Sequence, residues 1–324
     1  MFFGPSKMMH FQSRQRWHLF WIGAAIACWC WAGRVGVSAP LAQRAATPVV
    51  VATTTMVADL VRQVGGMRIT VDCLMAPGVD PHSYKATPRD IDRLMRADLV
   101  VASGLHLEGK LSDLLSRLEK RVPVLMVADA LPHDRLLAIG PELYDPHVWF
   151  DAQLWSLCPA VVAAALEKID PSGQEHYRSR AVAYAASLVA LDAKLRDRIA
   201  SIPQQQRVLV TAHDAFRYFG RAYGLEVVGV QGTSTESEAG LNDINRLVEL
   251  VVSRRIPAVF VETSVSDRNL MALREGAMAH SQKVKLGGRL YSDSLGTVAS
   301  GADTLAKALI ANAETIAVGL SEGH

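Results

Sequence analysis

Short β-branched runs alternate with longer amphipathic stretches from Pro48 onward, and no other feature restricts the fold of this chain as strongly. Short apolar runs bounded by turn residues predict β-strands, and the stretches between them predict helices with one apolar face. This alternation is typical of strands joined by crossover helices in a mostly parallel sheet. The first series predicts strands at residues 49–53, 69–74, 99–103 and 124–127, with helices at 56–64, 89–96 and 108–120.

The same order returns after residue 205, so the chain holds two such units. The second series predicts strands at 208–211, 226–230, 258–262 and 284–286, with helices at 215–223, 241–253, 268–280 and 302–318. The chain has 324 residues, of which 50% are hydrophobic, and this is enough to bury a core in each unit. We therefore predict an α/β fold of two lobes, each a mostly parallel sheet flanked by helices.

One helical segment separates the two series. It opens at Asp170-Pro171-Ser172, a favourable helix start, and residues 174–202 are rich in Ala, Leu, Arg and Lys until Pro203 ends the run. A helix of about 29 residues is roughly 43 Å long, so we expect one rigid α-helix that crosses the back of both lobes. The predicted organisation is a signal peptide at 1–46, an N-terminal lobe at 47–169, a linking helix at 170–203 and a C-terminal lobe at 204–324.

The N-terminal segment predicts export. A basic stretch ends at Arg16, the apolar run 19–33 follows, and small residues surround positions 37–39 and 44–46. This apolar run is about 15 residues long, shorter than the roughly 20 that span a membrane as a helix. We expect cleavage between residues 40 and 47 and a periplasmic protein. An uncleaved membrane anchor is the alternative, and the residues before Cys28 make a poor lipid-attachment sequence.

The charge balance speaks against a nucleic-acid partner. The whole chain has a formal charge of +2, but residues 1–46 hold five basic residues and no acidic one. Without them, 29 basic residues stand against 32 acidic ones, a net charge of −3. No basic excess remains to neutralise phosphates, so the sequence predicts no nucleic-acid binding.

Two cysteines, Cys73 and Cys158, lie beyond the predicted signal. Their separation fits neither a zinc finger nor a Cys-x-x-Cys redox pair. We predict that both are small buried residues, while a single disulfide between them in an oxidising compartment stays open.

The tripeptide Asp-Pro-His occurs twice, ending at His82 and at His147. Proline fixes its own φ and favours extended backbone in the residue before it, so each imidazole is presented from a stiff loop. Asp80 and Asp145 are placed to accept a hydrogen bond from a ring or from nearby backbone. The other histidines of the mature chain have no second ligand type near them and read as ordinary polar residues: His106, His133, His176, His280 and the terminal His324.

His213 and Asp293 complete a candidate ligand set in the second lobe. His213 follows the strand predicted at 208–211, at the end where open α/β sheets expose binding crevices, and Asp293 lies in the loop after the last strand. Asp293 on its own also fits a helix cap or a turn. The four residues do not lie three or four positions apart on one helix, so they form no HExxH-type hydrolase site.

Five segments together resemble the TroA-type (cluster A-I) solute-binding proteins of manganese and zinc ABC importers. They occur in the order and at the spacing of that family, and the long linking helix agrees with it. The segments are 76–84, 145–151, 211–216, 232–240 and 291–296.

The resemblance implies that His82 and His147 bind a metal ion from the N-terminal lobe and that His213 and Asp293 bind it from the C-terminal lobe. It implies a non-enzymatic binding protein, a monomer, that delivers one divalent cation to a membrane permease. Three imidazoles and one carboxylate suit zinc, a bidentate Asp293 suits manganese, and ferrous iron is a third candidate. The segment 232–240 also holds Glu236 and Glu238, which either border the cleft or lie in a solvated loop.

Two functions of other classes stay open from the residues. An exported zinc-dependent hydrolase would need a site that leaves room for an activated water. An adhesion protein would use the metal only for stability. For the importer subunit, we expect release when the C-terminal lobe shifts and withdraws His213 and Asp293.

Overall fold

The computed structural model describes residues 47–321 except Glu238. The predicted signal peptide, its cleavage region, Glu238 and the last three residues lie outside the described part.

A parallel four-stranded sheet forms the first lobe, with strand order β2-β1-β3-β4. Its elements are β1 (Val49–Ala52), α1 (Thr55–Gly65), β2 (Thr70–Cys73), α2 (Pro88–Met95), β3 (Leu99–Ala102), α3 (Ser112–Leu118) and β4 (Val124–Met126). The helix starts agree with the local sequence, since Thr54 caps α1 and Thr87 forms a capping box with Asp90 at the start of α2. The predicted strands and helices of this lobe are confirmed within a few residues, except that the predicted helix 108–120 is shortened by a 3₁₀ turn at Gly109–Leu111.

Residues 138–169 hold elements that the sequence pattern did not predict. A short antiparallel pair, β5 (Ala138–Gly140) and β6 (Leu143–Tyr144), precedes His147. The helices α4 (Ala152–Trp155) and α5 (Cys158–Ile169) follow it. The stretch Ala152–Ile169 is long and apolar enough to cross a membrane, with a mean hydropathy of 1.2. In the fold it packs against α1 and contributes fully buried side chains such as Trp155 and Leu166, as a core helix does.

The linking helix is α6 (Gln174–Ala200), 27 residues without a break. It contacts α1, α4 and α5 of the first lobe. Its buried side chains, among them Tyr177, Leu188 and Leu195, belong to one hydrophobic cluster that also contains residues of the second lobe. The prediction of a rigid helix behind both lobes is therefore confirmed.

The second lobe is again a parallel four-stranded sheet, with strand order β10-β9-β7-β8. Its elements are β7 (Val208–His213), α7 (Arg217–Tyr223), β8 (Glu226–Gln231), α8 (Leu241–Ser253), β9 (Ala258–Glu262), α9 (Arg268–Ala279), β10 (Lys285–Leu290) and α10 (Leu305–Ser321). The helices α7 and α10 pack on α6. The predicted fold class, two sheet-and-helix lobes joined by one long helix, is confirmed.

Strand β10 extends four residues beyond the predicted end at Leu286, through two glycines that read as strand breakers. The strand keeps its pairing with β9 across a register shift at this point. A Cβ at Gly287 would lie 2.5 Å from the Phe260 ring, and one at Gly288, whose φ is +134°, would lie 2.4 Å from Thr315. The glycines therefore allow the neighbouring strand and α10 to approach closely, and they do not end the strand.

Both cysteines of the described chain are free. Cys158 is fully buried at the start of α5, as predicted, whereas Cys73 at the end of β2 is only half-buried. Its thiol donates a hydrogen bond to the Met75 carbonyl oxygen at 3.1 Å. The disulfide that the sequence left open is not formed.

Candidate metal centre

The four residues singled out in the sequence come together between the two sheets. His82 lies in the loop after β2, His147 lies three residues after the end of β6, and His213 is the last residue of β7. Asp293 lies in the loop after β10, opposite the two histidines of the first lobe. The carboxyl ends of parallel strands, or the loops that follow them, therefore supply three of the four side chains.

The donor atoms of these residues converge. One donor atom from each lies within 4.8 Å of the others. The Nε2 atoms of His82 and His147 are 3.3 Å apart, and Asp293 Oδ1 lies 3.3 Å from His147 Nε2. Asp293 Oδ2 lies 3.2 Å from His213 Nε2 and 3.9 Å from His82 Nε2. Within the described chain, no other group of histidine, cysteine and acidic side chains has this arrangement.

The cluster is buried, and the donor atoms of two of its residues, His213 and Asp293, have no hydrogen-bond partner. The exposed fraction is 3% for His82, 1% for Asp293 and 0% for the other two histidines. Neither carboxylate oxygen of Asp293 and neither ring nitrogen of His213 has a hydrogen bond of good geometry. Buried polar atoms are almost always hydrogen-bonded, so donors left unpaired around a common centre fit a cation as their partner. Three imidazole nitrogens and one carboxylate are a donor set that divalent transition metals accept.

A carboxylate outside the cluster orients the ring of His147. Asp145 Oδ1 lies 2.7 Å from His147 Nδ1 and also accepts the backbone N–H of His147. Asp80 Oδ1 accepts the backbone N–H of His82 at 2.9 Å and leaves the ring without a carboxylate. Asp145 thus accepts from both the ring and the backbone of His147, whereas Asp80 accepts from the His82 backbone and from the hydroxyls of Ser83 and Thr235.

Glu262 supports the candidate ligand His213, and the sequence did not predict it. It is fully buried at the end of β9, and its Oε1 accepts the His213 backbone N–H at 2.8 Å. Its Oε2 lies 2.6 Å from His213 Nδ1, at an angle outside that of a good hydrogen bond. The pairing of Thr211 with Phe260 places His213 and Glu262 side by side on neighbouring strands. The sequence feature that could have identified Glu262 is an acidic residue at the end of an otherwise apolar strand.

The charges around the cluster shift its pKa values in opposite directions. Burial lowers the pKa of His82 to about 4. Burial also acts to lower the pKa of His147, but the carboxylates of Asp145 and Asp293 outweigh it and raise this pKa to about 9. For His213, Glu262 and Asp293 outweigh burial in the same way and raise the pKa well above 6.5. The pKa of Asp293 is held well below its usual value because the two histidines outweigh its burial. The neighbouring carboxylates thus favour the charged rings of His147 and His213, whereas burial favours the neutral ring of His82.

The remaining histidines of the described chain lie outside the cluster. His106 and His280 are exposed, the ring of His133 packs against Tyr144, and His176 Nε2 lies 3.1 Å from the Gly65 carbonyl oxygen. Each of these four histidines was predicted from the sequence to be an ordinary polar residue, and its position agrees with that prediction.

A cavity of about 280 Å³ leads from the surface to His82. Both lobes line it: Tyr144 and Pro146 belong to the first, and Thr233 and Glu236 belong to the segment after β8 in the second. Glu236 therefore borders the opening of the centre. Its neighbour Glu238 lies outside the described residues.

A family model described as "Zinc-uptake complex component A periplasmic" matches residues 50–319, nearly all of the described chain. The chain belongs to this family. The expected resemblance to metal-binding solute-binding proteins is thereby confirmed, and so is the expectation of a transport protein rather than an enzyme.

Relatives of this ZnuA-family chain are named for different metals. The manganese-binding lipoprotein MntA of Bacillus subtilis is 46% identical over 248 residues, which cover 76% of this chain and 81% of that protein. The zinc-binding protein TroA of Treponema pallidum is 40% identical over 274 residues, which cover 85% and 89% of the two chains. Its solved structure superposes with a TM-score of 0.83 over 85% of this chain and all of that one. The iron-binding protein YfeA of Yersinia pestis is 29% identical over 84% of this chain and 86% of its own length.

Proposed function

We propose that this protein is the exported solute-binding subunit of an ABC importer and that it holds one divalent transition metal ion between His82, His147, His213 and Asp293. The observation that carries the proposal is the convergence of four buried donor residues, two from each lobe, on one centre where the donor atoms of His213 and Asp293 have no hydrogen-bond partner. The names of the family and of its relatives, which refer to zinc uptake and to manganese or zinc binding, support it.

The four side chains would serve as the whole first coordination sphere. Three imidazoles and one carboxylate fill a tetrahedral shell for zinc, and a bidentate Asp293 raises the coordination number to suit manganese or ferrous iron. Zinc hydrolases instead keep one position open for water. The donor set therefore favours capture over hydrolysis, and it admits zinc, manganese and iron, the metals that appear in the names of the relatives.

We propose that the working protein is a monomer in the periplasm that docks on a membrane permease of the same importer. The family description contains the word periplasmic, whereas several relatives are named lipoproteins. The poor lipid-attachment sequence around Cys28 favours the released form. The net charge of −3 beyond residue 46 gives no reason to expect a nucleic-acid partner.

We further propose that the working units are an N-terminal lobe at 47–169, a linking helix at 170–203 and a C-terminal lobe at 204–324. Each lobe contains one of the two four-stranded sheets, and each contributes two of the proposed ligands.

Elemental analysis of the exported protein, purified without chelator, tests the proposal. We expect about one equivalent of zinc, manganese or iron per molecule, and loss of that metal in His82→Ala. His280→Ala is the matched control, because His280 is exposed and lies outside the cluster. It should keep the metal. Wild-type protein that holds no metal and takes none up on addition of zinc or manganese would contradict the proposed function.

A further inference from the structure

The segment 232–237 lies across the opening of the proposed metal centre. It follows β8 in the second lobe, and Thr233, Ser234 and Glu236 line the 280 Å³ cavity together with His82 of the first lobe. Among the four proposed ligands, His82 is the one that lines this cavity. An ion that passes through the cavity therefore meets His82 first.

One hydrogen bond joins this segment to the support of His82. Thr235 Oγ1 donates to Asp80 Oδ2 at 2.7 Å, across the cleft between the lobes. The other oxygen of Asp80 accepts the His82 backbone N–H at 2.9 Å. Thr235 is thus linked to the first ligand through a single carboxylate. Because the acceptor is charged, this bond is of the stronger kind.

A second contact across the cleft is weaker. Lys110 Nζ lies 3.2 Å from Glu236 Oε1, but the two side chains are 45% and 38% exposed. Ion pairs this open to solvent contribute little. Thr235 is therefore the main anchor of the segment on the first lobe among the described contacts.

The loop that carries Asp293 is held far more firmly. Ser294 Oγ accepts the Gly78 backbone N–H at 2.7 Å, and Thr55 Oγ1 accepts the Leu295 backbone N–H at 2.8 Å. The Trp149 indole N–H donates to the carbonyl oxygen of the neighbouring Ser292 at 3.2 Å. These bonds tie the Asp293 loop to the first lobe, although its strand belongs to the second. Withdrawing Asp293 would break all of them.

We propose that Thr235 latches the segment 232–237 over the metal centre and that the Thr235–Asp80 bond must break before the ion leaves past His82. This inference rests on the proposed function and assigns the moving part of that site. When the bond opens, the cavity widens and the Asp80-Pro81-His82 loop loses a constraint, while Asp293 stays in place. Thr235 is a positioning residue, since it acts on His82 through Asp80.

The test measures how fast bound Zn²⁺ passes to an excess of a chromogenic chelator in stopped flow. Thr235→Val removes the hydroxyl at nearly constant volume and should speed release about tenfold. Thr235→Ser keeps the hydroxyl and should restore the wild-type rate. Ser237→Ala also removes a hydroxyl from this segment, at an exposed position that does not line the cavity and has no bond to Asp80 among the described contacts, and it should leave the rate within about twofold of wild type. Thermal unfolding of the metal-free variants should be unchanged.

The outcomes separate this inference from the proposed function. A Thr235→Val protein that binds about one equivalent of zinc and releases it at the wild-type rate overturns the latch and leaves the metal-binding function intact. Equal acceleration in Thr235→Val and Ser237→Ala also overturns it, since general loosening of the segment would then suffice. Wild-type protein that binds neither zinc nor manganese removes both; if it binds manganese alone, the same variants are compared for release of Mn²⁺.

Discussion

The Glu262 carboxylate contacts His213 twice, at the backbone N–H through Oε1 (2.8 Å) and beside ring Nδ1 through Oε2 (2.6 Å). Both residues are fully buried. A carboxylate beside Nδ1 favours the proton on that nitrogen and so leaves the Nε2 lone pair for a metal. Asp145 does the same for His147. His82 has no such partner on its ring among the described residues, so the three imidazoles of the centre are not equivalent.

Glu262→Gln should weaken metal binding about 10- to 100-fold, because the amide no longer fixes the charge and the tautomer of His213. The Gln side chain still offers an oxygen to the His213 backbone, so the fold should persist. Competition against a chelator of known affinity measures the effect.

Glu226→Gln provides the matched control for this substitution. Glu226 lies in the same lobe, at the start of β8, where it is half exposed and paired with Arg254. We expect wild-type affinity in this control. Wild-type affinity in Glu262→Gln as well would show that Glu262 has no part in metal binding.

Metal affinity should rise with pH through the neutral range. In the metal-free protein, the neighbouring carboxylates raise the pKa of His147 to about 9 and that of His213 well above 6.5, against the opposing effect of burial. Both rings therefore favour the charged form with a second proton at neutral pH. The metal must displace that proton from each ring. His82 does not add to this competition, because burial lowers its pKa to about 4.

Calorimetric titrations in two buffers of different ionisation enthalpy count the displaced protons. We expect about two protons released per metal at about pH 7, with fewer released as the pH approaches 9. An affinity that stays constant between about pH 6 and 8 would contradict this picture.

The sequence predicted much of the fold because its periodic segments are locally consistent. The bounds of β9 and α8 agree with those predicted, and the unbroken α6 follows from its start signals and from Pro203 at its end. The β5–β6 pair and the helices α4 and α5 were missed. The two strands of the β5–β6 pair are too short to show an alternation of apolar and polar residues. Helix α5 has hydrophobic residues on nearly all sides, so its sequence shows no distinct apolar face.

The candidate ligands could be selected from the sequence because Asp-Pro-His loops and strand-end polar residues are visible in it, and the family resemblance joined the four into one predicted site. Glu262 was not, since its role depends on which strand lies beside β7, and strand order is a tertiary property. The same holds for Thr235, whose contact with Asp80 joins residues 155 positions apart. Local pattern thus identifies side chains that face a site, and only the packed fold shows which groups support them.

Asp59→Ala should destabilise the metal-free protein by about 1–3 kcal/mol, because it leaves buried donors unpaired. Asp59 Oδ2 accepts the backbone N–H of Leu305, the first residue of α10, at 2.9 Å, and the Tyr184 hydroxyl of α6 at 3.3 Å. One carboxylate thus joins the first lobe, the linking helix and the last helix. Denaturant unfolding measures the loss.

Asp267→Ala is the matched control for Asp59. Asp267 is exposed at the start of α9 and its side chain makes no capping hydrogen bond, so its removal should change the free energy of unfolding by less than about 0.5 kcal/mol. If the two variants have the same free energy of unfolding, the Asp59 contacts make no net contribution to stability.

The exported protein should contain two free thiols that react slowly in the native state. Cys158 is fully buried and burial raises its pKa, while Cys73 is half-buried and its pKa is raised by the same cause. Since the thiolate is the reactive form, a chromogenic disulfide reagent should modify Cys158 only after unfolding and Cys73 slowly before it. Reductant should leave thermal stability unchanged, because no bond joins the two cysteines. If unfolded protein shows no reactive thiol until it is reduced, the two cysteines are bonded to each other and the packing around Cys158 is wrong.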